Sequence, residues 1–143
     1  MLSKTEPSDF KKEIDVVACY IQHDGTFLLL QRQPHKSNGN QWGLPAGKID
    51  PGERREEAMQ REIREETSLE ISIEDLHYNH SFFVRNAGHD IHYHEFYATT
   101  DTLPKVLLSP NEHQQFAWVT PKEALDLPLV HDLDTCITMF YAK

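Results

Sequence analysis

The chain has 143 residues, enough for one domain with a substantial core and too few for two ordinary ones, so a single domain over residues 1–143 is expected. Its formal net charge of −9, from 14 Lys and Arg against 23 Asp and Glu, argues against a broad phosphate-backbone grip on nucleic acid, which needs clustered cations. Long nucleic acid is therefore not expected as a partner.

The first dozen residues, MLSKTEPSDFKK, are polar, lack an apolar targeting core and read as an N-terminal extension over residues 1–12. No uninterrupted apolar run approaches a membrane span, and the expectation is a cytoplasmic protein with no membrane partner. Residues 14–21 and 27–32 are apolar, β-branched runs separated by His23-Asp24-Gly25-Thr26, a hairpin signal that includes Cys19 in its first strand. Residues 33–41, QPHKSNGNQ, form a polar loop leading into a short strand, Trp42-Gly43-Leu44-Pro45-Ala46-Gly47. The turn Asp50-Pro51-Gly52 precedes a helix rich in charge, on which Met59 and Ile63 mark a core-facing side. Residues 76–85 and 91–100 flank the turn Asn86-Ala87-Gly88-His89-Asp90 as a second hairpin. A short strand over 116–119, a helix start over 121–125 and a closing helix over 129–141 complete the chain. Hairpins mixed with two or three helices imply a mixed sheet covered on both faces.

Cys19 and Cys136 lack paired metal or redox spacing and read as buried thiols. The nine histidines are scattered, without the helical H-x-x-x-H spacing of a zinc site, so no histidine-based catalytic metal is expected.

The stretch Gly47 to Leu69, GKIDPGERREEAMQREIREETSL, carries the chemistry. At about 100° per residue, Glu62, Glu65 and Glu66 at i, i+3 and i+4 fall within one arc of a helix. Carboxylates gathered so closely repel one another unless a cation lies between them, and a hard divalent metal is the usual occupant. The same helix also suits a solvated surface, with Glu57, Arg61 and Glu65 as an i, i+4 ladder of alternating sign. The strand and the tight turn just before it favour the first alternative, because a strand-loop-helix unit brings backbone carbonyls and glutamates to one point.

The order Gly47, five residues, Glu53, seven residues, Arg61-Glu62-Ile63-x-Glu65-Glu66-x-x-Leu69 resembles the Nudix box, the motif of hydrolases acting on nucleoside diphosphates linked to another moiety. Eight of its nine defined positions match; Ser68 stands where the family usually carries a glycine that ends the helix in a left-handed conformation. A serine there adopts that conformation at a cost of roughly 1 kcal/mol or ends the helix differently.

The resemblance implies an α/β fold of the α+β type, the Nudix fold, with a mixed β-sheet in an α/β/α sandwich. It also implies a Mg²⁺- or Mn²⁺-dependent pyrophosphohydrolase acting on a small nucleotide, with a homodimer as the family's habit. On that basis Glu62, Glu65 and Glu66 are the expected metal ligands, joined by the Ala46 carbonyl, and Glu53 and Arg61 are the supporting pair. Glu112, in the loop Ser109-Pro110-Asn111-Glu112-His113, is a further ligand or the general base, with Glu62 as the alternative base. Arg32 and Lys48 are expected phosphate contacts, and Phe82, Phe83, Tyr93, Phe96 and Tyr97 are candidates for a wall against a nucleobase. Family members acting on ADP-ribose or dinucleoside polyphosphates carry a proline or tyrosine some fifteen or more residues past the box; Val84-Arg85-Asn86-Ala87 stands there instead. A nucleoside triphosphate, cleaved to the monophosphate and pyrophosphate, is left as the expected substrate. ADP-ribose, a nucleotide sugar, a dinucleoside polyphosphate or a catalytically silent nucleotide-binding module are the alternatives.

Overall fold

The computed structural model describes residues 2–86 and 88–142. Strand β2 (Ile14–His23) is the axis of the sheet. It turns into β3 (Thr26–Arg32) through Asp24 and Gly25, both at positive φ (49° and 76°), the left-handed pair that a two-residue hairpin loop requires. Two short strands follow, β4 (Trp42–Gly43) against β3 and β5 (Ala46–Lys48) against β2.

After the box helix α1 (Arg55–Thr67) and a single 3-10 turn over Ile73–Asp75 come the antiparallel strands β6 (His77–Asn86) and β7 (His89–Thr99). Ala87, in the turn expected between them, lies outside the described residues. Strand β7 runs parallel to β2, from Ile14 opposite Ile91 to Gln22 opposite Thr99. β8 (His113–Val119) pairs with β3, and the helices α2 (Pro121–Ala124) and α3 (Leu133–Tyr141) close the chain. Leu2–Ser3, within the segment read as a polar extension, forms strand β1 on the edge of β6. The mixed sheet therefore runs β1-β6-β7-β2-β3-β4, with β5 on β2 and β8 on β3. None of the described helices is long and apolar enough to cross a membrane.

Alternation along the strands builds two cores, because successive side chains point to opposite faces. Val17, Cys19, Ile21, Leu28, Leu30, Phe96 and Ala98 pack with Ala58, Met59 and Ile63 of α1. Ala18, Tyr20, Phe27, Leu29 and Phe82 pack on the other face with Leu133, Cys136 and Ile137 of α3. Tyr20 stacks on Phe140 with ring centroids 4.1 Å apart, and Phe27 stacks on Tyr141 at 5.4 Å. The α/β/α sandwich and both buried cysteines follow from this pattern.

The strand expected over Trp42–Gly47 is split into β4 and β5, and two elements start three or more residues from the sequence reading. Strand β8 begins at His113 rather than Phe116, because its polar residues extend the ladder along Gln31 and Arg32. Helix α3 begins at Leu133 rather than Leu129, because the preceding backbone is occupied by β4: Trp42 N–H donates to Pro128 O (2.8 Å) and Val130 N–H to Trp42 O (2.9 Å).

Glu95 of β7 is a buried acid on the α3-facing side, 1% exposed, with Oε1 accepting from Asn79 Nδ2 at 2.7 Å. Loss of solvent pushes its carboxyl up to about 7. Between the ordinary glutamate value of 4.5 and about 7, the folded chain holds a proton that the unfolded chain releases. The associated stability is complete below the ordinary value and is lost as pH rises through the folded one, at roughly 1.4 kcal/mol per pKa unit. Glu95→Gln keeps an acceptor for Asn79 and removes the titration. Its melting temperature should exceed the parent's at about pH 8 and converge with it near pH 5; a difference independent of pH would show that Glu95 is not held protonated.

Candidate active site

Strand β2 is flanked on one edge by two different strands: β5 pairs with Val16–Ala18 and β3 with Gln22–His23. Where β3 and β5 part, the box loop leaves the sheet. After β5 the chain turns at Asp50-Pro51-Gly52, with Gly52 at φ 81° and Glu53 N–H donating to Asp50 O at 3.0 Å. Glu57 reaches back to the Arg54 N–H at 2.8 Å, satisfying one of the donors exposed where α1 begins.

Arg61 ties this unit together. Its Nε and Nη2 donate to both oxygens of Glu53 at 2.7 and 3.0 Å, Nη1 donates to Glu62 Oε1 at 2.7 Å and to Glu65 Oε2 at 3.2 Å, and Nη2 also reaches Lys48 O at 3.0 Å. The bonds from Arg61 hold the Glu53 carboxyl below the usual carboxylate range. Sequence reasoning paired Glu53 with Arg61, and these contacts place the pair between the turn and the glutamates.

Glu66, on the last turn of α1, is 5% exposed, and its Oε1 accepts the Ala46 N–H at 3.1 Å. Burial pushes its carboxyl well above the usual range, and the carboxylates of Glu62 and Glu112 push it further. Glu62 is raised as well, chiefly by burial, although Arg61 opposes the shift. Glu62 and Glu66 thus lie against each other, with the Ala46 N–H on Glu66 and Glu112 within electrostatic reach of it. Glu65 stands apart: its side chain is 55% exposed and faces Arg61.

Gly47 is dictated by this arrangement, since a Cβ built there would collide with the Glu62 carboxylate. Ser68 takes the left-handed conformation of the usual glycine, at φ 64° and ψ 13°, and its N–H closes the helix on Arg64 O. Its hydroxyl donates to Leu107 O at 3.0 Å, a bond that glycine could not make and that offsets the backbone strain.

A cleft of about 410 Å³ opens beside Glu66, with Glu66, Lys48, Arg32, His113, His131 and Asp132 as the polar side chains of its lining. Arg32 is held by Ser37, donating from Nε to the carbonyl at 2.6 Å. Leu2, Val84, Tyr93, Val130, Leu133 and Cys136 supply its apolar lining. Of the five aromatic residues considered for a base-contacting wall, Tyr93 alone lines this cleft. Phe82 and Phe96 are buried in opposite cores, Phe83 stacks on His92, and Tyr97 packs near Phe140. The contributions of Leu2 and α3 were not legible in the sequence, because they depend on two distant ends of the chain meeting across the sheet.

The donor set around Glu66 is all oxygen and carries more negative charge than a buried site tolerates alone. That matches a hard cation such as Mg²⁺ or Mn²⁺, which Glu62 and Glu66 would hold, with Glu112 within electrostatic reach.

The sequence model of the NUDIX domain matches residues 11–140. The chain is 35% identical over 123 residues to the CTP pyrophosphohydrolase of Escherichia coli K12, covering 82% of this chain and 84% of that protein. It is 31% identical over 116 residues to the nucleoside triphosphatase NudI of Salmonella newport, covering 76% and 82%. Among solved structures, the E. coli ORF135 protein superposes with a TM-score of 0.74 at 32% identity, over 90% of this chain and 89% of that one. The MutT protein of Methanosarcina mazei Go1 gives 0.76 at 26% identity, over 91% and 94%.

Gly47→Ala tests the packing of the site. It should displace the Glu62 carboxylate at little cost in stability, because the end of that side chain can swing away, and weaken Mg²⁺ binding by calorimetry. Unchanged affinity would mean that metal binding does not depend on the Glu62 carboxylate standing over Gly47.

Proposed function

The chain belongs to the Nudix hydrolase family, and within it we propose a Mg²⁺- or Mn²⁺-dependent pyrophosphohydrolase that cleaves a nucleoside triphosphate to the monophosphate and pyrophosphate. The observation that carries this reading is the buried Glu66 carboxylate, set against Glu62 and within electrostatic reach of Glu112, in the wall of a cleft that Arg32 and Lys48 also line. The names of the two relatives above, a CTP pyrophosphohydrolase and a nucleoside triphosphatase, support a triphosphate substrate.

In this reading Glu62, Glu65, Glu66 and Glu112, with the Ala46 carbonyl, hold the metal, and Glu65 turns inward from Arg61 to join them. When bound, the metal supplies charge for the phosphate oxygens and lowers the pKa of a coordinated water. Arg32 and Lys48 bind the phosphate chain from the rim of the cleft, where their charge offsets the negative charge growing on the transferred group. Glu112, or Glu62 in its place, accepts the proton of the attacking water. Arg61 and Glu53 hold Glu62 in place and fix the turn that leads into α1. The apolar lining, with the Tyr93 ring, receives the base and keeps the triphosphate aligned with the carboxylates.

A phosphate-release screen with Mg²⁺ and with Mn²⁺, coupled to pyrophosphatase for canonical and oxidised nucleoside triphosphates and to phosphatase for ADP-ribose, nucleotide sugars and dinucleoside polyphosphates, tests the reading. A triphosphate should be the preferred substrate, and Glu65→Gln should lower turnover by roughly 100-fold or more with the fold retained. Preference for a linked diphosphate would overturn the substrate assignment, and an unaffected Glu65→Gln rate would overturn the ligand assignment.

A further inference from the structure

Beside the start of α1, on the α1-facing side of the sheet, the parallel register of β2 and β7 sets Asp15 beside His92 and Val17 beside His94. His92 and His94 are two apart on one strand and so share a face with Asp15. One ligand atom from each of the three lies within 4.8 Å of the others. Asp15 Oδ1 is 3.1 Å from His94 Nε2 and 3.6 Å from His92 Nδ1. A tetrahedral ion with bonds of about 2.0–2.1 Å places its ligand atoms roughly 3.3–3.5 Å apart, so only small adjustments would close this triad on a metal.

The neighbours of the triad hold its rings in place. Tyr78 Oη lies 3.1 Å from His94 Nδ1, the outer contact that orients a metal-binding imidazole and leaves Nε2 facing Asp15. Phe83 stacks on His92 with centroids 4.6 Å apart and planes 5° from parallel. Lys12 Nζ holds the far carboxylate oxygen, Asp15 Oδ2, at 2.9 Å, which turns Oδ1 toward the two imidazoles. A groove of about 450 Å³, lined by Asp15, His94, Ile49, Glu53 and Arg55, gives access from solvent.

A metal-free network accounts for only part of this. Tyr78, His94 and Asp15 form a continuous hydrogen-bonded chain. His92 has no place in it: Nδ1, the ring nitrogen that faces Asp15, is 3.6 Å from Oδ1, too far for a good hydrogen bond.

We propose that Asp15, His92 and His94 form a second metal site, distinct from the box, that binds Zn²⁺ or a similar borderline divalent ion. Two imidazoles and one carboxylate select such an ion over Mg²⁺, whereas the all-oxygen box has the opposite preference. The site crosses from β2 to β7, so an ion there fastens the parallel strand pair at the centre of the sheet.

The test is a Co²⁺ titration of the full chain in millimolar Mg²⁺, followed by visible absorption, with Zn²⁺ calorimetry under the same conditions. One equivalent of Co²⁺ should develop a band that Zn²⁺ abolishes. The band should be lost in His94→Ala and in His92→Phe, which keeps a ring to stack on Phe83, and retained in Glu66→Gln. Tyr78→Phe should weaken Zn²⁺ binding by roughly 10- to 100-fold. Absence of Co²⁺ and Zn²⁺ binding would overturn the proposal. So would a band that survives in His92→Phe, or one lost only in Glu66→Gln, which would place the ion in the box.

Discussion

The repulsion between Glu66 and Glu62 is the constraint on which the catalytic half of this molecule depends. A carboxylate buried beside a second one, with a third contributing through space, is unfavourable unless a proton or a cation is shared among them. The fold holds it there nonetheless. Glu66 is fixed by the Ala46 N–H, Glu62 by Arg61, and α1 by the packing of Ala58, Met59 and Ile63 on the sheet. Core packing on one side of the helix thus holds an electrostatically strained cluster on the adjoining side, which gives the cluster an affinity for positive charge.

The same reasoning explains why the site lies at a division in the sheet. Strand β2 pairs with β3 at one end and with β5 nearer its start, and the gap between those partners lets the box loop approach α1. Gly47 permits the closest approach, because any side chain there would occupy the space of the Glu62 carboxylate. Arg61 then reads as a fastener whose several bonds link the turn, the loop carbonyl of Lys48 and the helix. Loop, helix and carboxylates are fixed together, as a site that must place oxygens at short metal distances requires.

Local signals made much of this readable from the sequence. The Asp24-Gly25 turn, the period-two runs of β2 and β3, the Asp50-Pro51-Gly52 turn and the spacing of the box glutamates each act within a few residues, and each appears in the fold. What was not legible depends on distant pairing. The polar start of β8 is a strand only because Arg32 and Gln31 lie beside it, and Leu129 and Val130 stay out of α3 because Trp42 pairs with their backbone, after which the chain turns at His131 and Asp132. Leu2 reaches the cleft because β1 adds to β6. The histidines were read against helical spacing, whereas His92 and His94 meet Asp15 through strand spacing and parallel register, which a single sequence does not display.

The central claim is that the buried carboxylates are held together for a divalent cation and are strained without one. The most direct test compares the parent with Glu66→Gln in thermal unfolding near neutral pH, first without divalent ions and then with Mg²⁺ increasing to millimolar concentrations. Without metal, the variant should be at least as stable as the parent, because it removes a buried charge and keeps an oxygen for the Ala46 N–H; with Mg²⁺, the parent's melting temperature should rise and the variant's should stay nearly constant. A variant less stable without metal, or one stabilised by Mg²⁺ as much as the parent, would contradict the account.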